Sequence, residues 1–409
     1  MTLRDADPTA QAPPADVAFE RTADQLATAM RAWEEHGEAW ADEVFDDFAS
    51  RAFPLQYDGI EAYRRYCERR GVAPATVSGW MDIPPVPVAA FRHVPLIVGG
   101  EGAAKLEFLT SGTTGGPGSR GRHLIRDPDL YRSSMEAAFR RLVLDRPAPD
   151  GPVLDRPALS RADPGPDLYA SLVAPFSETP ESSLAWMIDG LVERLGAPGS
   201  RHFASDSGVD WEAAADFVAG AAADGRPVCI LTTTLALDAW IRYLNDHDRG
   251  WALPAGSLVM DTGGAKGREG LSRADVCRSA AERLGLDPSR IVNEFGMTEL
   301  LSQLYSVPEG SGPGGDTLPD APWLRGPPWL KVRALDPNDL SPLPDGEPGL
   351  LSYFDLANLG SVCAVLTEDV GRVSAGAVQW LHRSPGAPPR GCSLATAELL
   401  AAREDVVGD

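Results

Sequence analysis

The apolar positions Leu26, Met30, Trp33, Trp40 and Phe45 recur at close to helical spacing. That pattern predicts helix from Val17 to about Phe53, with Gly37 separating two segments. A further helical stretch covers 60–70 and stops at Gly71. Residues 1–16 are polar and proline-containing and read as a loose tail. The segment IPPVPVAAFR (83–92) is punctuated by prolines, which lack an amide proton and restrict the residue before them, so no regular helix fits there.

From residue 94 onward the pattern changes. Short apolar runs end in Gly/Ser/Thr-rich loops, and helical patterns follow. LEFLTSGTTGGPG (106–118) reads as a strand and a loop. RDPDLYRSSMEAAFRRLVL (126–144) reads as a helix opened by Asp127, with Pro128 in its first turn. Three later segments repeat the order strand, loop, helix: PVCILTTTLALDAWIRYL, SLVMDTGGAKG with the following SRADVCRSAAERLG, and RIVNEFGMTELLSQLY. Such repetition predicts an α/β fold with a largely parallel sheet and helices on its faces. Ligands of such sheets sit beyond the C-terminal strand ends, where these loops fall. Residues 145–166 and 308–328 are Pro-rich and read as loops. The stretch 349–373 reads as β-rich with turns, VQWLH as a strand, and ATAELLAARE as a short helix after RGCSL.

Composition narrows the function classes. The hydrophobic fraction is 43% and charged residues make up 23%, which excludes a wholly disordered or collagen-like chain. Acids outnumber bases 59 to 37, for a net charge of -22. That balance argues against a basic nucleic-acid surface. Five cysteines lie without a CxxC or Cys/His cluster, so neither a disulfide framework nor a structural zinc site is expected. No apolar run approaches the ~20 residues of a membrane span. A cytoplasmic protein with no membrane partner is the expectation.

Four loops carry candidate chemistry. Thr110-Ser111-Gly112-Thr113-Thr114-Gly115-Gly116-Pro117-Gly118 has glycines that free the backbone to curl its amides inward, and hydroxyls that add donors. It reads as a phosphate cradle or as a flexible Ser/Gly loop, and it is not a Walker motif. Asn293-Glu294-Phe295-Gly296-Met297-Thr298-Glu299 lies between an expected strand and an expected helix. Thr298 suits a phosphate oxygen, Glu299 a Mg²⁺ ion and Phe295 a base; equally, Thr298 suits a helix N-cap. Thr367-Glu368-Asp369-Val370-Gly371-Arg372 can present a carboxylate to ribose hydroxyls or form an ordinary turn. Asp261-Thr262-Gly263-Gly264-Ala265-Lys266 can bring backbone against a flat ring or simply expose a lysine.

In this order and spacing, the four motifs resemble the adenylate-forming superfamily of acyl-CoA synthetases, adenylation domains and luciferases. The resemblance covers roughly 80–400. IPPVPVAAFR, the compact length and the terminal RGCSL are most similar to the acyl-protein synthetases of the bacterial bioluminescence (LuxE) type. It implies stacked αβ subdomains and a β-rich subdomain in a large domain over 1–370, with a truncated C-terminal region over 371–409. It implies ATP and Mg²⁺ as cofactors. By the same resemblance Thr110, Ser111, Gly112, Thr113, Thr114 and Gly115 would wrap the ATP β/γ-phosphates, and Gly264 and Ala265 would line the adenine. Phe295, beside Gly296, would pack on the adenine, and Thr298 would contact the α-phosphate. Glu299 would ligate Mg²⁺, Asp369 would bind the ribose, and Arg383 would reach the nucleotide. Arg120 stands near a position where the family often has lysine.

Only three of the 37 basic residues are lysines, Lys105, Lys266 and Lys331. The C-terminal lysine by which typical members drive adenylation therefore has no counterpart. Attention passes to Cys392, flanked by Gly391 and Ser393. In the acyl-protein synthetases a cysteine near the C-terminus accepts the acyl group, and Arg390 could lower the thiol pKa. The implied activity is ATP-dependent adenylation of a carboxylic, possibly fatty, acid, with acyl transfer to Cys392 and on to an acyl-CoA-reductase-like or other acceptor protein. The alternatives are direct transfer to CoA, a carrier protein or an amine, and a non-catalytic nucleotide-binding partner. Cys363 is the fallback acceptor. His123 and His202 receive no catalytic role.

Overall fold

The structure, a computed structural model, describes residues 15–110, 120–145, 165–264, 271–315, 318, 320–383 and 389–407. Its helices are α1 (Ala15–His36), α2 (Asp42–Gly59), α3 (Glu61–Arg69), α4 (Pro128–Phe139), α5 (Ser183–Leu195), α6 (Trp211–Ala223), α7 (Thr234–Asp246), α8 (Arg273–Leu284) and α9 (Arg390–Val407). Strands β1 (Val86–Pro87), β2 (Leu106–Leu109), β3 (Arg122–Ile125), β4 (Leu168–Ser171), β5 (Arg201–His202), β6 (Ala204–Ser205), β7 (Gly208–Val209) and β8 (Val228–Thr233) come first. They are followed by β9 (Leu258–Thr262), β10 (Ile291–Phe295), β11 (Leu304–Ser306), β12 (Trp323–Arg325), β13 (Leu330–Leu335), β14 (Gly349–Asp355), β15 (Ala364–Ser374) and β16 (Ala377–Arg383).

The N-terminal pattern folds as its spacing predicts. Leu26, Met30 and Trp33 of α1 and Phe45 of α2 are buried. Gly37 follows α1 at φ +69°, a left-handed conformation that favours glycine. Asp127 caps α4 by accepting from the amides of Asp129 and Leu130. Thr233 caps α7 by accepting from Ala236 N, directly after β8. Around 83–92 the chain makes the two-residue β1 and a short 3₁₀ turn, as the prolines require.

The main sheet runs β13-β14-β15-β16-β12-β11-β10-β9-β8-β4-β5, with β1 paired to β15. The stretch β10-β9-β8-β4-β5 is parallel. Side chains alternate along it. Cys229, Leu231, Leu258, Met260 and Val292 enter one core cluster, whereas Val228, Ile230, Val259 and Ile291 enter another. The sheet is thus sandwiched, and its polar strand ends Asp261-Thr262 and Asn293-Glu294 stand at the C-terminal edge.

Four expectations need correction. The sheet is only half parallel, because every pairing from β10 through β11, β12, β16, β15, β14 and β13 is antiparallel. No helix follows the FGMTE loop: the chain reverses into β11, whose Leu304 pairs with Phe295. Thr298 is therefore no helix N-cap. The expected loop 308–328 contains β12, which pairs with β11 and β16. RGCSL lies inside α9, which starts at Arg390 rather than after Leu394. The boundary expected after 370 falls within β15. Beyond it, β16 completes the sheet, and α9 is pinned to α3 by an Arg70–Glu398 ion pair of 2.7 Å. Among the described residues no helix is long and apolar enough to cross a membrane.

Candidate active site

The polar strand ends are fixed by a buried network. Asp261 accepts from Arg273 Nε at 3.0 Å and Nη2 at 2.6 Å, and from Thr234 Oγ1 at 2.7 Å. Asn293 Nδ2 reaches the carbonyls of Asp261 and Gly263 at 3.2 and 3.3 Å. These bonds hold β9, β10 and the turn at Gly263, whose φ is +81°. Asp261→Ala would leave the Arg273 guanidinium buried without its carboxylate. The expected cost is about 3–5 kcal/mol, read from the denaturant midpoint. A loss below about 1 kcal/mol would count against this account.

Beside that network, Thr262 Oγ1 donates to Glu294, whose carboxyl burial pushes up to about 7. A Cβ on Gly264 would meet nothing within 4 Å, so the loop after β9 borders open space. Ala265, and the phosphate-loop positions Ser111, Gly112, Thr113, Thr114 and Gly115, lie outside the described residues. Thr110 marks the near end of that loop. Its amide donates to Gly121 O at 2.9 Å and its hydroxyl accepts from Gly121 N at 2.8 Å. Arg120 braces the same stem, donating to Thr110 O at 2.6 Å and Leu109 O at 3.2 Å and pairing with Glu181.

The segment from Phe295 to Glu299 is a loop held by its backbone. Asn358 Nδ2 donates to Glu299 O at 2.8 Å. Asp355 accepts from Leu301 N at 2.8 Å and Ser302 Oγ at 2.6 Å. Neither Asp355 nor Asn358 was singled out from sequence. Their setting, DLANLG between two strands, is the only signal that could have marked them. Phe295 lies with its ring stacked at 6.2 Å on Tyr353, so one face is already covered. A Cβ on Gly296 would fall 2.5 Å from Glu294 Oε1.

Glu299 is buried, and its carboxyl is pushed up to about 7. Desolvation is the main cause; Arg383 and Arg92 oppose it and Asp369 adds to it. Asp369 and Arg383 face each other across β15 and β16, with Nε 3.9 Å from Oδ1. Asp369 and Arg383 thus act on Glu299 from positions up to 84 residues away in sequence. Among the described residues no group of three or more His, Cys, Asp or Glu could hold a metal ion. Mg²⁺ commonly takes one or two carboxylates and completes its shell with phosphates and water, a chemistry that the Glu299 carboxylate would suit.

Cys392 stands apart from this cluster. It is buried among Leu335, Leu350 and Leu366, with its thiol 3.5 Å from the Thr367 carbonyl. Leu366 and Val370 pack toward Cys392, on either side of an irregularity where the register of β15 with β14 shifts. Burial pushes the thiol up to about 12, and Glu368 adds to the effect. This reverses the lowering expected from Arg390. Cys67, Cys229 and Cys363 are buried and Cys277 partly so, as expected of packing residues.

Residues 208–400 match the family profile "Acyl-protein synthetase, LuxE". The long-chain-fatty-acid–luciferin-component ligase of Vibrio harveyi is 23% identical over 367 residues, 87% of this chain and 87% of its own. The chain is similar to the LuxE-type acyl-protein synthetases. Its counterpart from Aliivibrio fischeri is 35% identical over 83 residues, 18% of this chain and 22% of its own. Among solved structures, an open conformation of 2-hydroxyisobutyryl-CoA ligase with 2-HIB-AMP and CoA superposes with a TM-score of 0.58 at 14% identity. It covers 93% of this chain and 75% of that one. The same ligase in its postadenylation state gives a TM-score of 0.57 at 13% identity, over 93% of this chain and 73% of that one. The adenylate-forming fold expected from the motifs is therefore present.

Proposed function

We propose that this chain activates a carboxylic acid with ATP and passes the acyl group through Cys392 to a partner protein. A carboxylate oxygen of the acid attacks the α-phosphorus of ATP. The bond to pyrophosphate breaks, and an acyl-adenylate forms. The Cys392 thiolate then attacks the acyl carbon, AMP leaves, and a thioester remains for transfer. The names of the two relatives favour a long-chain fatty acid as substrate. An acyl-CoA-reductase-like protein is the proposed acceptor, and the cytoplasm the proposed compartment.

The observation that supports this reading best is that Glu299, in the loop after β10 at the C-terminal edge of the parallel half of the sheet, feels the charges of the Asp369–Arg383 pair on β15 and β16. Thr110 to Gly115 would receive the β/γ-phosphates, and Gly264, Ala265, Phe295 and Gly296 the adenine. Thr298 would hold the α-phosphate and Asp369 the ribose, with Arg383 reaching the nucleotide. Glu299 would hold Mg²⁺, which when bound neutralises developing phosphate charge. The decisive assay is acid-dependent ATP–pyrophosphate exchange across acids of increasing chain length. The expected result is exchange with at least one acid, followed by hydroxylamine-labile labelling of the protein by that acid. No exchange with any acid would overturn the proposal.

The burial of Cys392 favours a second reading, in which the adenylate is passed directly to CoA, a carrier thiol or an amine. Undiminished transfer to such an acceptor by Cys392→Ser protein would select it.

A further inference from the structure

His123 has no part in the mechanism above, yet it occupies a junction. It lies on β3, opposite Phe108 of β2 in register. It is 1% exposed, with its ring edge-on to Phe91 at 5.4 Å. Its Nδ1 is 2.6 Å from the carbonyl oxygen of Thr298. A carbonyl oxygen only accepts, so Nδ1 carries the proton and donates. Burial pushes the imidazole down to about 4, which keeps the ring neutral at physiological pH.

The β2–β3 hairpin is the stem of the glycine-rich loop, closed by the Thr110–Gly121 hydrogen bonds. Asn358, in the turn after β14, holds the Glu299 carbonyl, and Asp355, the last residue of β14, holds the following Leu301 and Ser302. The His123 bond therefore ties the Thr298–Glu299 segment to the stem of the phosphate loop. A hydrogen bond inside the protein, away from competing water, holds its partners in a narrow geometry.

We propose that His123 is a positioning residue for adenylation: its Nδ1–H fixes the Thr298 carbonyl and so sets the Thr298 hydroxyl and Glu299 carboxylate relative to the β2–β3 stem. This rests on the proposed function. A displacement of about 1 Å in such a constellation costs on the order of 10²-fold in rate.

The test compares His123→Phe, His123→Asn and His123→Gln. Asparagine can place an amide N–H near the Nδ1 position, glutamine only near Nε2. The Phe variant is expected to lose about 10²-fold in kcat for pyrophosphate exchange, with little change in KM for the acid. Asn is expected to recover most of that loss and Gln little of it. Exchange within twofold of wild type in the Phe variant, or equal recovery by Gln and Asn, would overturn the proposal. If the Phe protein does not fold, the Asn and Gln pair decides. A second readout needs no turnover: the nitrogen NMR spectrum of the His123 ring at pH 7 should show the Nδ1–H tautomer. An Nε2–H tautomer would overturn the proposal by itself. Wild-type protein without exchange would instead overturn the adenylation reading, and the two failures are distinct.

Discussion

Glu299→Gln is expected to lower acid-dependent pyrophosphate exchange by about 10²–10³-fold, the scale of removing one charged group from a preorganised site. Glutamine keeps the shape and the buried position but loses the charge that would hold Mg²⁺. The wild-type pH profile should carry the same signature. Burial pushes the Glu299 carboxyl up to about 7, so much of it is protonated near neutrality in the free protein. Exchange should therefore climb as pH rises from about 6 to 8. Raising the Mg²⁺ concentration should move the climb to lower pH, because the metal competes with the proton. A pH profile flat across that window, or a Gln variant within threefold of wild type, would remove Glu299 from the proposed site.

The same carboxyl also makes a statement about stability. Glu299, Glu294 and Asp355 are all buried, and burial pushes their carboxyls up to about 7, 7 and 6 from ordinary values of 4.5, 4.5 and 3.8. In each case the folded chain holds its proton more tightly than the unfolded chain. Stability is then greatest below the unfolded values and declines as pH rises toward the folded ones. The protein without ligands should lose resistance to denaturant between about pH 4.5 and 7.

Much of this was legible in the sequence, for identifiable reasons. The α1–α3 helices follow from apolar spacing, and α4, α7 and β8 follow from caps and β-branched runs. The FGMTE segment misled the reading, because LLSQLY has helical spacing but its Leu304 and Tyr305 join a ladder with β10. Tertiary pairing outweighed local periodicity. β12 was hidden because its short run WLR sits among prolines and glycines. The FGMTE and TEDVG motifs marked Glu299 and Asp369, whereas Arg383 was marked only by the family resemblance. His123, Asn358 and Asp355 act through hydrogen bonds to groups distant in sequence. Nothing local distinguishes such residues from other buried polar ones.

Cys392→Ser is expected to abolish the hydroxylamine-labile acyl-enzyme while leaving pyrophosphate exchange within about twofold of wild type, because serine is far the weaker nucleophile at neutral pH. The resting thiol is itself poorly prepared. Burial pushes it up to about 12 from the ordinary 9.0, so the thiolate fraction at neutral pH is about 10³-fold lower than for an unperturbed cysteine. Cys392 should accordingly alkylate about 10³-fold more slowly than an exposed thiol, as followed by peptide mass spectrometry. The thiol is buried in an apolar cluster, so transfer through it would require the first turn of α9 to leave Leu335, Leu350 and Leu366. The hold on α9 includes the partly exposed Arg70–Glu398 pair, which is worth little by itself, and the buried Ala395, Leu399 and Ala402, which are worth more. Addition of ATP and a competent acid should therefore speed Cys392 alkylation when the acyl step is blocked by a non-hydrolysable adenylate analogue. Alkylation that is already fast in the resting protein would contradict the burial. Alkylation that stays slow with the analogue bound would turn the assignment toward direct transfer to an external acceptor.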